Sequence, residues 1–237
     1  MRSSFTRSQG LGRSAASRPQ RRLFSAAAFS AAMVFSLLLL TACGLSRPFP
    51  SIRTFTLTPP EDAQPAETAR SAARSSRRPI LIQVTSSGAS AQYETKKLVH
   101  KVGPNEFSED FYNELVGLPA RLAIEAASNG LNDSPANLAV TKGLGLETPN
   151  YVLDIYLTAF HGDYTSSPPK AVFEARFSLT EQRRVRSPSV QSWILSGSAI
   201  VTDRGDPPAD LAAALGQALV QATNELVSRV ELAVKAR

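Results

Sequence analysis

One residue in this chain has chemistry that its neighbours prepare. Cys43 is the single cysteine among 237 residues, and it closes the run Leu40-Thr41-Ala42-Cys43 just before Gly44. A lone thiol can form neither an intrachain disulfide nor a thiolate metal cluster. It can be alkylated. The run resembles a lipobox, in which the cysteine sulfur takes a diacylglyceryl group and cleavage between Ala42 and Cys43 frees an amine for further acylation. Small residues at Thr41 and Ala42 let a peptidase approach that bond. Each buried methylene contributes about 0.8 kcal/mol, so one acyl chain binds a membrane marginally while two or three hold it firmly.

The residues before the cysteine are arranged to deliver it. Residues 1 to 42 carry Arg2, Arg7, Arg13, Arg18, Arg21 and Arg22 and not one Asp or Glu, followed by an apolar stretch from Phe24 to Ala42. A basic segment, an apolar core and small residues before the cut have the outline of a secretory signal. Three other readings compete with it. A mitochondrial transit peptide is also basic and acid-poor, but it is amphipathic and does not end in a Leu run. An uncleaved span is long enough to cross a bilayer, yet Ser25, Ser30, Ser36 and the alanines weaken it. The blandest reading is a free cysteine that happens to follow an apolar run.

Removing the leader changes the electrostatics. The whole chain has a formal net charge of +6 and a pI near 9.8. Six of its 26 basic residues lie before Cys43, which leaves 20 against 20 acidic residues. The remainder is neutral, and nucleic acid is set aside as a partner.

The expected organisation is a signal peptide over 1–42, a tether over 43–51 containing Pro48 and Pro50, and one domain over 52–237. Between Glu61 and Arg78 the chain has no large apolar residue, which predicts a mobile loop. Its Arg70, Arg74, Arg77 and Arg78 are read as a solvated basic linker, with contact to anionic headgroups as the sharper alternative.

Within the domain, period-two patterns predict strands at Ile52–Leu57, Ile80–Val84, Asn137–Thr141, Tyr151–Phe160, Lys170–Thr180 and Val190–Val201. Leu98–Val102, Gly103-Pro104-Asn105 and Glu106–Ser108 read as strand, turn and strand. Ser108 is the expected cap of a first helix carrying Phe111, Leu115, Leu118 and Leu122, kinked or divided at Pro119 and stopped at Asn129-Gly130. A long second helix begins at Asp206-Pro207-Pro208 and puts Leu211, Leu215, Leu219, Ala222, Leu226, Val230 and Ala233 on one stripe. These elements predict an α+β fold, a single mostly antiparallel sheet with two main helices packed on one face.

Catalytic chemistry is not expected. His100 and His161 sit in strand contexts without convergent partners, and they are read as structural residues. Asp154 alternates with Leu153 and Ile155 and should face solvent. No nucleophile elbow, phosphate loop or dinucleotide fingerprint occurs, so no catalytic residue, metal or cofactor is assigned.

Read in order, the lipobox, Thr-Phe-Thr-Leu at 54–57, LVHKVGPNEFSEDFY at 98–112, YVLDIYLTAFHGDY at 151–164, AVFEARFSL at 171–179 and the C-terminal helix resemble the ABC-type transport auxiliary lipoprotein family, whose members include paraquat-inducible protein C. The resemblance covers nearly all of the chain after Cys43. It implies a non-enzymatic, periplasm-facing lipoprotein whose partners are a mammalian-cell-entry protein and ABC transporter subunits that move lipid across the cell envelope. The loop from Glu61 to Arg78 departs from the family pattern. The alternative is a lipid-binding carrier or envelope-assembly lipoprotein independent of any transporter. By analogy with the sorting rule of enteric bacteria, Gly44 rather than Asp after the cysteine points to the outer membrane, with the inner membrane as the other destination.

Overall fold

The structure is a computed structural model that describes residues 50–57, 78–141, 148–182 and 190–236. Cys43, the lipobox and nearly all of the segment from Glu61 to Arg78 lie outside the described residues. The elements run β1 (Arg53–Phe55), β2 (Ile80–Ala89), a short 3-10 turn (Ala91–Tyr93), β3 (Lys97–Gly103), β4 (Glu106–Leu115), α1 (Pro119–Asn132), β5 (Leu138–Thr141), β6 (Tyr151–Asp163), β7 (Lys170–Glu181), β8 (Val190–Ile200) and α2 (Pro207–Lys235).

The longest pattern in the sequence becomes the spine of the sheet. β6 pairs antiparallel with β7 from Tyr151↔Glu181 to Asp163↔Lys170, and β7 pairs antiparallel with β8. Along its other edge β6 takes two parallel partners in succession, β2 beside residues 151–157 and β3 beside Gly162 and Asp163. β5 continues the sheet beyond β2; β4 and then β1 continue it beyond β3. The α+β expectation holds, with the longest ladders antiparallel. Short parallel pairs at β1–β4, β2–β5, β2–β6 and β3–β6 make the sheet mixed.

Alternation decides which face is covered. Ala171, Phe173, Ala175, Phe177 and Leu179 are buried along β7, as are Leu195 and Ala199 on β8. Each fully buried Leu, Ile or Phe side chain contributes about 1.5–3 kcal/mol relative to exposure. β6 keeps the same face with a change of phase. Leu153, Ile155 and Leu157 are buried, then the register slips between Leu157 and Ala159, and Phe160 takes the inward position opposite Phe173. One bulged residue inverts the facing of everything after it.

The second helix matches its predicted stripe, since Leu211, Leu215, Leu219, Ala222, Leu226, Val230 and Ala233 are all buried. It lies so close to the sheet that a Cβ on Gly197 of β8 would sit 1.9 Å from the carbonyl oxygen of Ala218.

The first helix differs from its expectation at both ends. β4 continues through Ser108, Phe111 and Leu115, and α1 starts only at Pro119, which occupies a first-turn position. Ser108 is therefore no cap, and Pro119 neither kinks nor divides the helix. Proline starts helices without loss because the first-turn N–H has no intrahelical acceptor. The apolar spacing that suggested a helix combined two strand positions, Phe111 and Leu115, with Leu118 at the cap position and the helical Leu122. Asn129-Gly130 is no stop either, because α1 continues to Asn132. A Cβ on Gly130 would meet Thr223 at 2.8 Å and Val227 at 3.1 Å, so this glycine serves the approach of α2.

The close contact at Gly197 yields a graded expectation. Overpacking typically costs about 1–3 kcal/mol, and a backbone carbonyl cannot rotate away, so Gly197→Ala should lie at roughly 3 kcal/mol. Gly162→Ala would meet only the side chains of Tyr164 and Leu211, and should cost less. Urea unfolding midpoints of the two variants check the order.

Candidate functional site

The predicted lipid-attachment residue, Cys43, and its lipobox partners Leu40, Thr41 and Ala42 lie outside the described residues. What the structure does define is the point where the chain from that cysteine enters the fold. β1 has only three residues, paired in parallel with Asn113–Leu115 of β4. Arg53 holds it to the start of α2. Its guanidinium donates to both carboxylate oxygens of Asp206, at 3.0 and 2.5 Å, and lies 4.9 Å from the ring of Phe55. Their hydrogen bond raises the Arg53 pKa and lowers that of Asp206. Both groups are exposed, so the pair serves as a geometric clamp more than a source of stability. Asp206 is the N-cap residue of α2, but its carboxylate faces Arg53 and makes no side-chain cap bond.

The two histidines are brought to adjacent strands and then separated. His100 of β3 pairs with Gly162 of β6, one residue beyond His161. Successive strand residues point to opposite faces, so the two rings leave the sheet on opposite sides. His161 is buried beneath the 3-10 turn, where the Tyr93 hydroxyl lies 2.8 Å from its Nδ1 and Phe107 meets its ring edge-on at 5.4 Å. Burial raises the Tyr93 pKa and lowers that of His161. The phenol and the imidazole therefore share a hydrogen bond between neutral groups, whose direction is set by the histidine tautomer. His100 packs against Tyr164 and lies 3.8 Å from Asp110 Oδ2; burial lowers its pKa against the opposing pull of that carboxylate.

Asp154 accepts hydrogen bonds from Thr85 at 3.2 Å and Ser87 at 2.6 Å. It is half-buried in that network rather than fully solvated. Among the described residues no group of three or more His, Cys, Asp or Glu could hold a metal ion, and no helix is long and apolar enough to cross a membrane. An apolar groove of about 240 Å³ runs between β1, α1 and α2, lined by Leu57, Val116, Leu122, Ala126, Leu219 and Val220. No local pattern announces it, because its walls come from three separate segments.

Neither the protein-family models nor the curated proteins contain a match to this chain. The fold is nevertheless shared with solved structures. Protein XCC0632 from Xanthomonas campestris, of family DUF330, superposes with a TM-score of 0.54 at 20% identity, covering 78% of this chain and 98% of its own. An uncharacterized protein superposes with the same TM-score of 0.54 at 11% identity, over 76% of this chain and 99% of its own. Lipoprotein GNA1162 from Neisseria meningitidis, at a TM-score of 0.33 and 12% identity over 67% of this chain and 100% of its own, is too distant to bear on function. The first two likenesses establish a common fold and leave the activity to the residues.

The lowered histidine pKa values have a definite sign. The unfolded chain takes up protons near pH 6.5 that the folded chain refuses, so the histidine contribution is complete above about pH 6.5 and is lost as pH falls toward the depressed folded values. His161 faces Tyr93, Phe107, Lys101 and Asp163; His100 faces Asp110 and Tyr164. The thermal midpoint should therefore drop between about pH 7.5 and pH 5, and drop less in His161→Gln, as followed by circular dichroism.

Proposed function

We propose that this chain is a bacterial lipoprotein, cleaved before Cys43 and acylated there, which holds residues 52–237 as a non-enzymatic domain at the periplasmic face of a membrane. Its role is that of an accessory subunit of a mammalian-cell-entry-type ABC transporter that moves lipid across the envelope. The observation that carries the anchor is Leu40-Thr41-Ala42-Cys43 at the end of a basic-then-apolar leader, followed by a chain of zero net charge. The transporter partnership is supported by the ordered set of segments that resemble the ABC-type transport auxiliary lipoproteins. Gly44 supports the outer membrane as destination, and the inner membrane is the alternative.

The groove between β1, α1 and α2 favours a second reading, a carrier that holds an acyl chain between helix and sheet. Size weighs against it. Ligand pockets usually enclose about 300–1,000 Å³, and this groove has about 240 Å³. Docking is the better-supported mode.

Cys43→Ser should leave the circular dichroism spectrum of the domain unchanged while abolishing palmitate labelling and retention in the membrane fraction. Normal labelling of that variant would overturn the anchor. Affinity purification of the intact lipoprotein from detergent-solubilised membranes should recover a permease, an ATPase and a mammalian-cell-entry protein. A lipid-laden protein without those subunits would favour the carrier.

A further inference from the structure

β4 contains an excursion that the sheet does not need. Lys97 of β3 faces Glu114, and Val99 faces Glu109, so two steps on β3 match five on β4. The extra residues form a bulge around Phe111 and Tyr112. The side chain of Asp110 holds it closed, its Oδ1 accepting the backbone N–H of Tyr112 at 2.9 Å and of Asn113 at 3.0 Å, while the Asn113 amide donates to both carboxylate oxygens. A bulge fixed by a carboxylate is a rigid display and not a frayed loop.

What it displays is aromatic. Phe111 is 73% exposed and Tyr112 41%, their rings in edge contact at 5.1 Å. The Lys97 ammonium lies 5.5 Å from the Phe111 ring and 3.1 Å from Glu109. Beside the pair, Arg53 of β1 faces Asn113, and Ile52, the residue before β1, is 64% exposed. Val116, just past the end of β4, is exposed as well.

The chain enters the domain at this same place. Nine residue steps separate Cys43 from Ile52, and a fully extended chain covers at most about 30 Å in that number. A surface confined to that distance from a bilayer experiences an effective concentration of order millimolar or more, so a weak intrinsic affinity suffices to keep it seated. Phe and Tyr with a flanking Lys match the boundary between headgroups and acyl chains, where an apolar ring is buried and a polar tip stays wet. The domain after Cys43 is neutral overall, so attraction to anionic lipid alone would not seat it.

We propose that the β4 bulge is a membrane foot, with Phe111 and Tyr112 inserted in the headgroup region of the leaflet that carries the acyl chains of Cys43. This deepens the anchored-lipoprotein reading and rests on it. The occupant is a phospholipid bilayer, and its effect is to fix the orientation of the sheet above the membrane instead of letting the domain swing on its tether.

The test uses the full acylated lipoprotein, reconstituted into phosphatidylethanolamine and phosphatidylglycerol vesicles with brominated acyl chains. Trp193, the only tryptophan, is replaced in a Trp193→Phe background, and a probe is introduced as Phe111→Trp or, where that position does not accept an indole, Tyr112→Trp. Emission from the probe should be blue-shifted and quenched by roughly half, as expected for a ring at the acyl boundary. Ile194→Trp, placed at an exposed site on β8, should be quenched little. Equal, weak quenching at both sites in protein whose Cys43 peptide carries acyl chains by mass spectrometry would overturn the foot and leave the anchor standing. A Cys43 peptide without acyl mass would overturn the anchor and the foot with it. Adding Asp110→Ala, which opens the bulge, should reduce quenching of the probe while acylation is retained.

Discussion

The fold depends on how closely α2 can approach the sheet. β7 and β8 present an apolar face that must be covered, and the cover is one helix of 29 residues. At Gly197 the strand has no side chain, and the carbonyl of Ala218 occupies the position a Cβ would take. On the helix, Ala212, Ala214, Gly216, Ala218 and Ala222 are buried small residues. On its flank, Gly130 lets α1 approach Thr223 and Val227. Two contacts, sheet to α2 and α1 to α2, thus rest on absent side chains, and interiors packed at crystal-like density do not absorb an added carbon without moving backbone.

That packing leaves the chemistry-bearing residues dispersed. The bulge in β6 turns His161 away from the helices and under the 3-10 turn, whereas His100 stays with the opposite face. Each imidazole is occupied by packing and by one polar neighbour. Asp154 is engaged by Thr85 and Ser87. These groups act as polar fasteners between segments distant in sequence, joining the 3-10 turn to β6 and β2 to β6. Buried polar groups that are satisfied in this way specify one arrangement of the chain.

The periphery has a different character. β1, β4 and the start of α2 meet where the chain from Cys43 arrives, and that corner combines an exposed ion pair, a carboxylate-held bulge and uncovered aromatic rings. A short edge strand is weak by itself. β1 is secured by backbone pairing to β4 and by Arg53 across to Asp206, so any load on the tether passes into two elements at once.

Much of this was legible before any coordinates. The long strands and the stripe of α2 follow from periods of two and of 3.6 residues. Those signals survive because one face of each element is buried along its whole length. β4 and α1 were not legible: Phe111 and Leu115 share helical spacing with Leu122, and nothing local reveals that a parallel partner, β1, draws 113–115 into the sheet. The phase change in β6 and the role of Gly130 were hidden for the same reason, since a bulge and a close approach are set by what lies opposite. By itself the sequence determined the α+β class and the inward residues of β7 and α2, and it is the ground on which the anchor at Cys43 is proposed. Only the tertiary structure decided that the two histidines part across the sheet and that an aromatic bulge stands on β4, the partner of β1, because both depend on pairings between segments that no local pattern connects.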